Sequence, residues 1–326
     1  GILNGMHRRR VVALGGGTGL SVLLRGLRDD PDLEVTAIVA MTDDGGSSGR
    51  LRREFGVLPT GDVRSCLAAL SRREDLLGRL LAYRFPVRSS APEVGGHSFG
   101  NLMLTALADI LGGVDRAVSA VSEILSVSGR VLPATMQQAH LVAELEDGRL
   151  VRGESSITQL RAPIRRLRLS PPGVRRNPEA AAAIRRADML VFGPGSLYTS
   201  VLPHLAIRDS VFAAGRTSAT VVYVCNIMTE PGETTGYSVD DHVRCLREHG
   251  GPHFRLDAVV VNTGSLPSRL VRRYRRQGSF PVANDVRRTV AEGVRVVRAD
   301  LCARDGAGAF VRHDPARLGR VIRRLL

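Results

Sequence analysis

Lysine is absent from this 326-residue chain, as is tryptophan, so all 46 Lys+Arg positions are arginine. That removes two mechanisms, because there is no P-loop lysine for a nucleoside triphosphate and no side-chain amine for a Schiff base. Aromatic residues are only 4% of the chain, and no strand interleaves them with basic residues to stack bases. Nucleic acid is therefore not an expected partner, despite a formal net charge of +14. Cys66, Cys225, Cys245 and Cys302 are scattered, with no CxxC pair and no recurring spacing to histidine. Neither a zinc motif nor a disulfide framework is indicated, and reduced, buried thiols are expected. No apolar run approaches the roughly 18 to 20 residues of a membrane span, and no signal-peptide core opens the chain. The expectation is a cytoplasmic protein without a membrane span, folded as one domain over residues 6–326. The GILNG before Met6 is read as a cloning remnant.

Arginine and glycine are plentiful. Arginines cluster at Arg8 to Arg10, Arg50 to Arg53, Arg161 to Arg168, Arg269 to Arg276 and in the last helix. Most belong on a solvated face, but each is a planar fork suited to phosphate or carboxylate. Strand-like and helix-like runs alternate: RRVVALGG, TGLSVLLRGLR and LEVTAIVAMTDDGG open a βαβ unit. GDVRSCLAALS reads as a helix capped by Asp62. Between 132 and 170 the texture changes to a hairpin turning at Asp147 and Gly148 and an extended IRRLRLS, a candidate β-rich insertion. The α/β rhythm then returns, with DMLVFGPGS, TVVYVCNIMT, LDAVVVNTG and VRVVRADL as further strands. The fold class is α/β, a mainly parallel sheet with helices on both faces and a smaller β-rich insertion.

In such sheets ligands sit beyond the carboxyl ends of the strands. GGGTG, Gly15 to Gly19, leaves the first strand and feeds a helix whose amino end favours a phosphate. It fits G-x-G, but Leu20 takes the place of the third glycine of a dinucleotide fingerprint. Asp43 and Asp44 end the second strand, where acids can bind a ribose hydroxyl, hold magnesium through a carboxylate and waters, or cap the Gly45–Gly46 turn. In MTDDGGSSGRLRREFG, read as one loop, Ser47, Ser48 and Arg50 follow as donors of the kind an anion needs. In GGHSFGN, His97 is either a general acid or base or a hydrogen-bonded structural residue. Asn101 offers donor and acceptor to a ligand, or satisfies the first helical turn. FGPGS brings a second glycine cradle with Gly195 and Ser196. Asn226 with Thr229, and Asn262 with Thr263 and Gly264, end neighbouring strands.

The runs VVALGGGTGLSVLLRGL, TDDGGSSGRLR, GDVRSCLAAL, GHSFGNL, FGPGSLYTSVLP, CNIMTEPGET and VVNTG, in that order, resemble the gluconeogenesis factor family. That family lies in the superfamily of the 2-phospho-L-lactate transferase of deazaflavin coenzyme synthesis. The resemblance implies a Rossmann-like fold with a nucleotide pocket over the strand ends. The transferases use magnesium and a guanosine-diphosphate-linked donor. The gluconeogenesis-factor branch is associated with UDP-sugars, notably UDP-N-acetylglucosamine, and with cell-wall synthesis and cell shape on gluconeogenic carbon sources. Carried over residue by residue, the resemblance gives Gly16, Gly17 and Thr18 the diphosphate, and Asp43 and Asp44 magnesium or ligand hydroxyls. It places Asn101, Gly195, Ser196 and Asn226 on the pocket wall, and Tyr274 and Arg312 as further UDP-sugar contacts.

Two functions follow. One is a UDP-sugar-binding regulator that requires no cofactor and signals to a protein partner in cell-wall synthesis, with self-association into a homo-oligomer left open. The other is a magnesium-dependent transferase in which Asp43 and Asp44 are the catalytic acids. A third, an NAD-dependent oxidoreductase, is weakened by Leu20 and by the lack of a clear catalytic pair.

Overall fold

Strands form where short runs of Val, Ile, Leu and Ala end in glycine or polar turn residues. The computed structural model of the chain describes residues 8–72, 76–88, 93–207, 209, 211–212, 217–303 and 310–326. Met6 and the residues before it lie outside that set. The strands in chain order are β1 (Arg9–Gly15), β2 (Leu33–Val39), β3 (Arg130–Pro133), β4 (His140–Leu145), β5 (Leu150–Arg152), β6 (Ile164–Ser170), β7 (Met189–Phe192), β8 (Thr220–Val224), β9 (Ala258–Asn262) and β10 (Arg295–Ala299). Seven of them make one sheet in the order β10-β9-β8-β7-β1-β2-β3. Every pairing in it is parallel.

Because both faces are covered, the central strands are apolar over most of their buried length and divide those side chains between two cores. Val11 and Ala13 of β1 pack with Leu20, Leu23 and Leu24 of helix Gly17–Leu27. Val12 and Leu14 face the other way, toward Ile184, Tyr198 and Leu246. On the first face, helix Gly17–Leu27 meets the last helix, Pro315–Arg323, at a glycine contact. A Cβ on Gly26 would stand 2.1 Å from the Pro315 oxygen, so only glycine admits this approach.

The small sheet, β5-β4-β6, is antiparallel. Its buried Leu141, Ala143, Ile164 and Leu167 join the second core, which seats the lobe on that face. Of the stretch 132–170, Leu132 and Pro133 sit in β3 of the large sheet, and the hairpin turns after Leu145.

Two local readings differ from the structure. TDDGGSSGRLRREFG, read as a loop, becomes helical from Gly46 to Phe55. It buries Ser47, Ser48 and Gly49 with Leu51 and Arg52, and so shows no apolar stripe in sequence. Asp62 is not a helix cap: Thr60 stands at that position of helix Gly61–Leu70, and the Asp62 side chain turns toward Gly17. All four cysteines are buried thiols. No helix among the described residues is long and apolar enough to cross a membrane.

Candidate functional site

The chain starts in the middle of the large sheet, runs outward through β2 to β3, and returns to lay β7 against the other edge of β1. The connections leaving β1 and β7 therefore diverge, opening a crevice at their carboxyl ends. Both connections are glycine loops, and they touch. A Cβ on Gly19 would lie 2.3 Å from the Pro194 oxygen and 2.8 Å from the Gly195 Cα.

Over this contact lies a cavity of about 730 Å³, with Thr18, Gly195, Asn226, Tyr274, Arg312 and Arg161 among its lining residues. Its size suits a nucleotide-sized ligand. Thr18 and Gly19 bring the first turn of helix Gly17–Leu27, whose amino end favours negative charge. Asn226, just past β8, accepts the Gly195 N–H through Oδ1 at 3.3 Å, leaving its amide nitrogen to donate. Tyr274 packs with Ile227 and Met228 and accepts the Val311 N–H at 3.2 Å. Arg312 lies over the Phe310 ring at 4.9 Å. Arg161, Arg276 and Arg312 make the wall cationic. His313 in the same wall is neutral, because burial pushes its ring down to about 4, only partly opposed by its hydrogen bond to the Cys225 backbone. Glu230 on the rim has its carboxyl pushed up by burial and then by Glu233, so it opposes an anion less than a carboxylate would. A smaller cavity at the ends of β8 and β9 shares Asn226 and Ile227 and adds Asn262, Thr263 and Gly264. A further cavity of about 770 Å³ between helices Gly46–Phe55 and Phe99–Leu111 is walled mainly by apolar groups and offers no cation.

The other candidates lie outside the cavity over the glycine loops. Gly16 and Gly17 face a group of acids: the Gly17 N–H donates to Asp62, and a Cβ on Gly16 would stand 2.6 Å from Asp62 Oδ2. Burial, then Asp43, pushes the Asp62 carboxyl up to about 7. Glu154 is raised well above the usual carboxyl range by burial and then by Asp43, Asp62, Asp44 and Glu233. Asp43 accepts the Gly45 N–H at 2.9 Å, and Asp44 accepts the Ser155 N–H at 2.9 Å. Ser196 donates to Glu233 at 2.9 Å and accepts the Thr199 N–H at 3.1 Å.

Ser47 and Asn101 belong to one buried network. Ser47 Oγ meets His97 Nδ1 at 3.0 Å and accepts the Asn101 amide at 3.2 Å, while Arg64 donates to Asn101 Oδ1 at 3.0 Å. Burial, and then Arg50, lowers His97, whose ring fills a structural hydrogen-bonding place.

The family model for 2-phospho-L-lactate transferase CofD matches residues 11–302. The gluconeogenesis factor of Bacillus subtilis is 42% identical over 98% of this chain and 99% of its own length. A Nostoc relative is 47% identical over 97% of this chain and 69% of its own. The chain belongs to the gluconeogenesis factor family. A crystal structure of a UPF0052 family member from Bacillus halodurans overlays it with a TM-score of 0.90 at 40% identity, covering 97% of this chain and 99% of the other. The Rossmann-like sheet and the small lobe are thus a gluconeogenesis factor fold within the wider transferase family.

Several residues of the site escaped the sequence reading. Asp62 and Glu154 gather behind the glycine loop from separate helices, a proximity that no spacing announces. Glu230 and Glu233 were within reach, since TEPGET follows a strand end as the other site loops do. Arg161 was one arginine among many.

Proposed function

We propose that the cavity over the two glycine loops binds a nucleotide sugar of the UDP-N-acetylglucosamine type, and that the protein is a cytoplasmic regulator acting on cell-wall synthesis and cell shape through a protein partner. The observation that carries this reading is the convergence of two touching glycine loops and three arginines on one nucleotide-sized space. The loops offer backbone N–H groups to a diphosphate, the guanidinium forks offset its charge, and Asn226 supplies an oriented donor. Family membership is compatible with this, since the B. subtilis relative carries the name gluconeogenesis factor.

A second reading, magnesium-dependent transfer from a nucleoside-diphosphate-linked donor, is favoured by the transferase family model and by the acids behind the loop. The oxygen donors of Asp43, Asp44 and Asp62 suit a hard cation. However, no three His, Cys, Asp or Glu side chains among the described residues are grouped to hold a metal. They fit magnesium only as one or two carboxylate ligands supplementing a donor's phosphates, where the ion would neutralise phosphate charge.

Calorimetry on the purified chain separates the readings. UDP-N-acetylglucosamine is expected to bind without magnesium. Arg312→Ala should weaken it about ten- to hundredfold through loss of a charged hydrogen bond, and Tyr274→Ala about tenfold. Tight GDP or NAD binding with none of the UDP-sugar at millimolar concentration would remove the reading. Release of a nucleoside monophosphate from a nucleoside-diphosphate-linked donor, dependent on magnesium and lost in Asp43→Asn, would establish the transferase instead.

A further inference from the structure

Arg161 stands apart from the other described arginines in its backbone. It ends helix Glu154–Leu160 in the left-handed region, φ 50° and ψ 39°, a conformation that disfavours a side chain and usually falls to glycine. Only Ser126 shares a positive φ among the described non-glycine residues. The neighbouring chain is fitted to this shape. Gly232 packs so closely that a Cβ there would lie 2.1 Å from the Arg161 carbonyl carbon. No carboxylate among the described residues pairs with the Arg161 guanidinium, although Asp and Glu partners are common elsewhere on this surface. It comes from the inserted lobe and lines the same cavity as Thr18 and Gly195.

The lobe itself is tied to the strand-end loops. Asp44 accepts the Ser155 N–H at the start of the helix, and Glu233 accepts the Thr158 hydroxyl at 3.1 Å and the Ser196 hydroxyl at 2.9 Å. The chain after β2 and the chain after β8, the latter bonded to Ser196 of the loop after β7, thus hold the helix whose last turn presents Arg161. Strained, over-determined residues of this kind gather where a ligand is clamped.

We infer that Arg161 is a ligand-binding residue, the cation with which the inserted lobe clamps the diphosphate of the nucleotide sugar, and that Asp44 is a positioning residue for it. The inference rests on the nucleotide-sugar reading only in requiring a diphosphate in the cavity. It gives the lobe a function, to deliver one guanidinium across the crevice, and gives Asp44 a role that needs no metal.

The test compares Arg161→Gln and Arg161→Gly in the full chain by calorimetry with UDP-N-acetylglucosamine, UDP, GDP, NAD and uridine, and by thermal unfolding. Both variants are expected to lose about ten- to hundredfold in diphosphate affinity, with a shallower salt dependence and unchanged weak binding of uridine. Arg161→Gly alone should raise Tm, by about 2 °C, since it releases the left-handed strain. Asp44→Ala, which removes the acceptor of the Ser155 N–H, should weaken diphosphate binding on its own but add little to Arg161→Gln, as coupled residues do. Wild-type affinity in Arg161→Gln overturns the inference and leaves the nucleotide-sugar reading standing. If only GDP or NAD binds, that reading fails, and the variants are scored on the diphosphate that does bind. A wild type that binds none of these diphosphates overturns both.

Discussion

Gly19→Val is expected to abolish nucleotide-sugar binding, by more than a hundredfold, and to lower stability by about 3 kcal/mol. The first Cβ alone would lie 2.3 Å from the Pro194 oxygen and 2.6 Å from its carbonyl carbon, and these are backbone atoms that cannot rotate away. The Gly15–Gly19 loop and the Gly193–Ser196 loop must separate, which moves Thr18 and Gly195 apart and removes the floor of the cavity. Gly46→Ala serves as a control in the same fold, for it has a positive φ of 47° and nothing within 4 Å of an added Cβ, so it should cost stability without costing affinity. Denaturant unfolding and calorimetry read the two effects separately. A Gly19→Val protein that folds and keeps wild-type affinity would place the ligand elsewhere.

Asp62→Asn is expected to stabilise the protein at alkaline pH. An aspartate carboxyl raised from 3.8 to about 7 keeps its proton in the folded state while the unfolded chain has already released it. The folded state therefore binds more protons between pH 4 and pH 7, and stability falls as pH rises through that window, levelling off above it. A shift of this size corresponds to about 4 kcal/mol. Asp62 keeps part of its surface in solvent, so about 2 kcal/mol is the expected gain at pH 8. At pH 2, below both values, the carboxyl is protonated in the folded and unfolded states and the gain should vanish. Urea unfolding at the two pH values measures it, and an equal gain at both would show that burial and Asp43 do not perturb the group. Glu154 acts in the same sense, so the Asp62→Asn variant should still lose stability as pH rises.

Much of this architecture was legible from residue order. The apolar runs of β1, β2, β7, β8 and β9 are long enough and β-branched enough to be read directly, and parallel pairing follows from the helices between them. The glycine loops were legible because their chemistry is local. Helix Gly46–Phe55 was not, since it packs through serine and glycine where periodicity finds nothing. Asp43, Asp44, Gly16 and Gly17 were read as one phosphate-and-metal site with Thr18. In the structure Thr18 faces the cavity, while Gly16 and Gly17 meet Asp62 on the other side of the loop. Which face of a loop points to a ligand is set by tertiary neighbours, here an aspartate 45 residues farther along the chain, and spacing carries no trace of it.

The most direct measurement is a crystal soaked in UDP-N-acetylglucosamine. The account predicts density in the 730 Å³ cavity, with the diphosphate within hydrogen-bonding distance of the Thr18–Gly19 turn and Gly195 and reached by Arg161 and Arg312. A diphosphate bound instead against Gly16, Gly17 and the Asp62 carboxyl, or a ligand lodged in the apolar cavity beside Phe55, would contradict it.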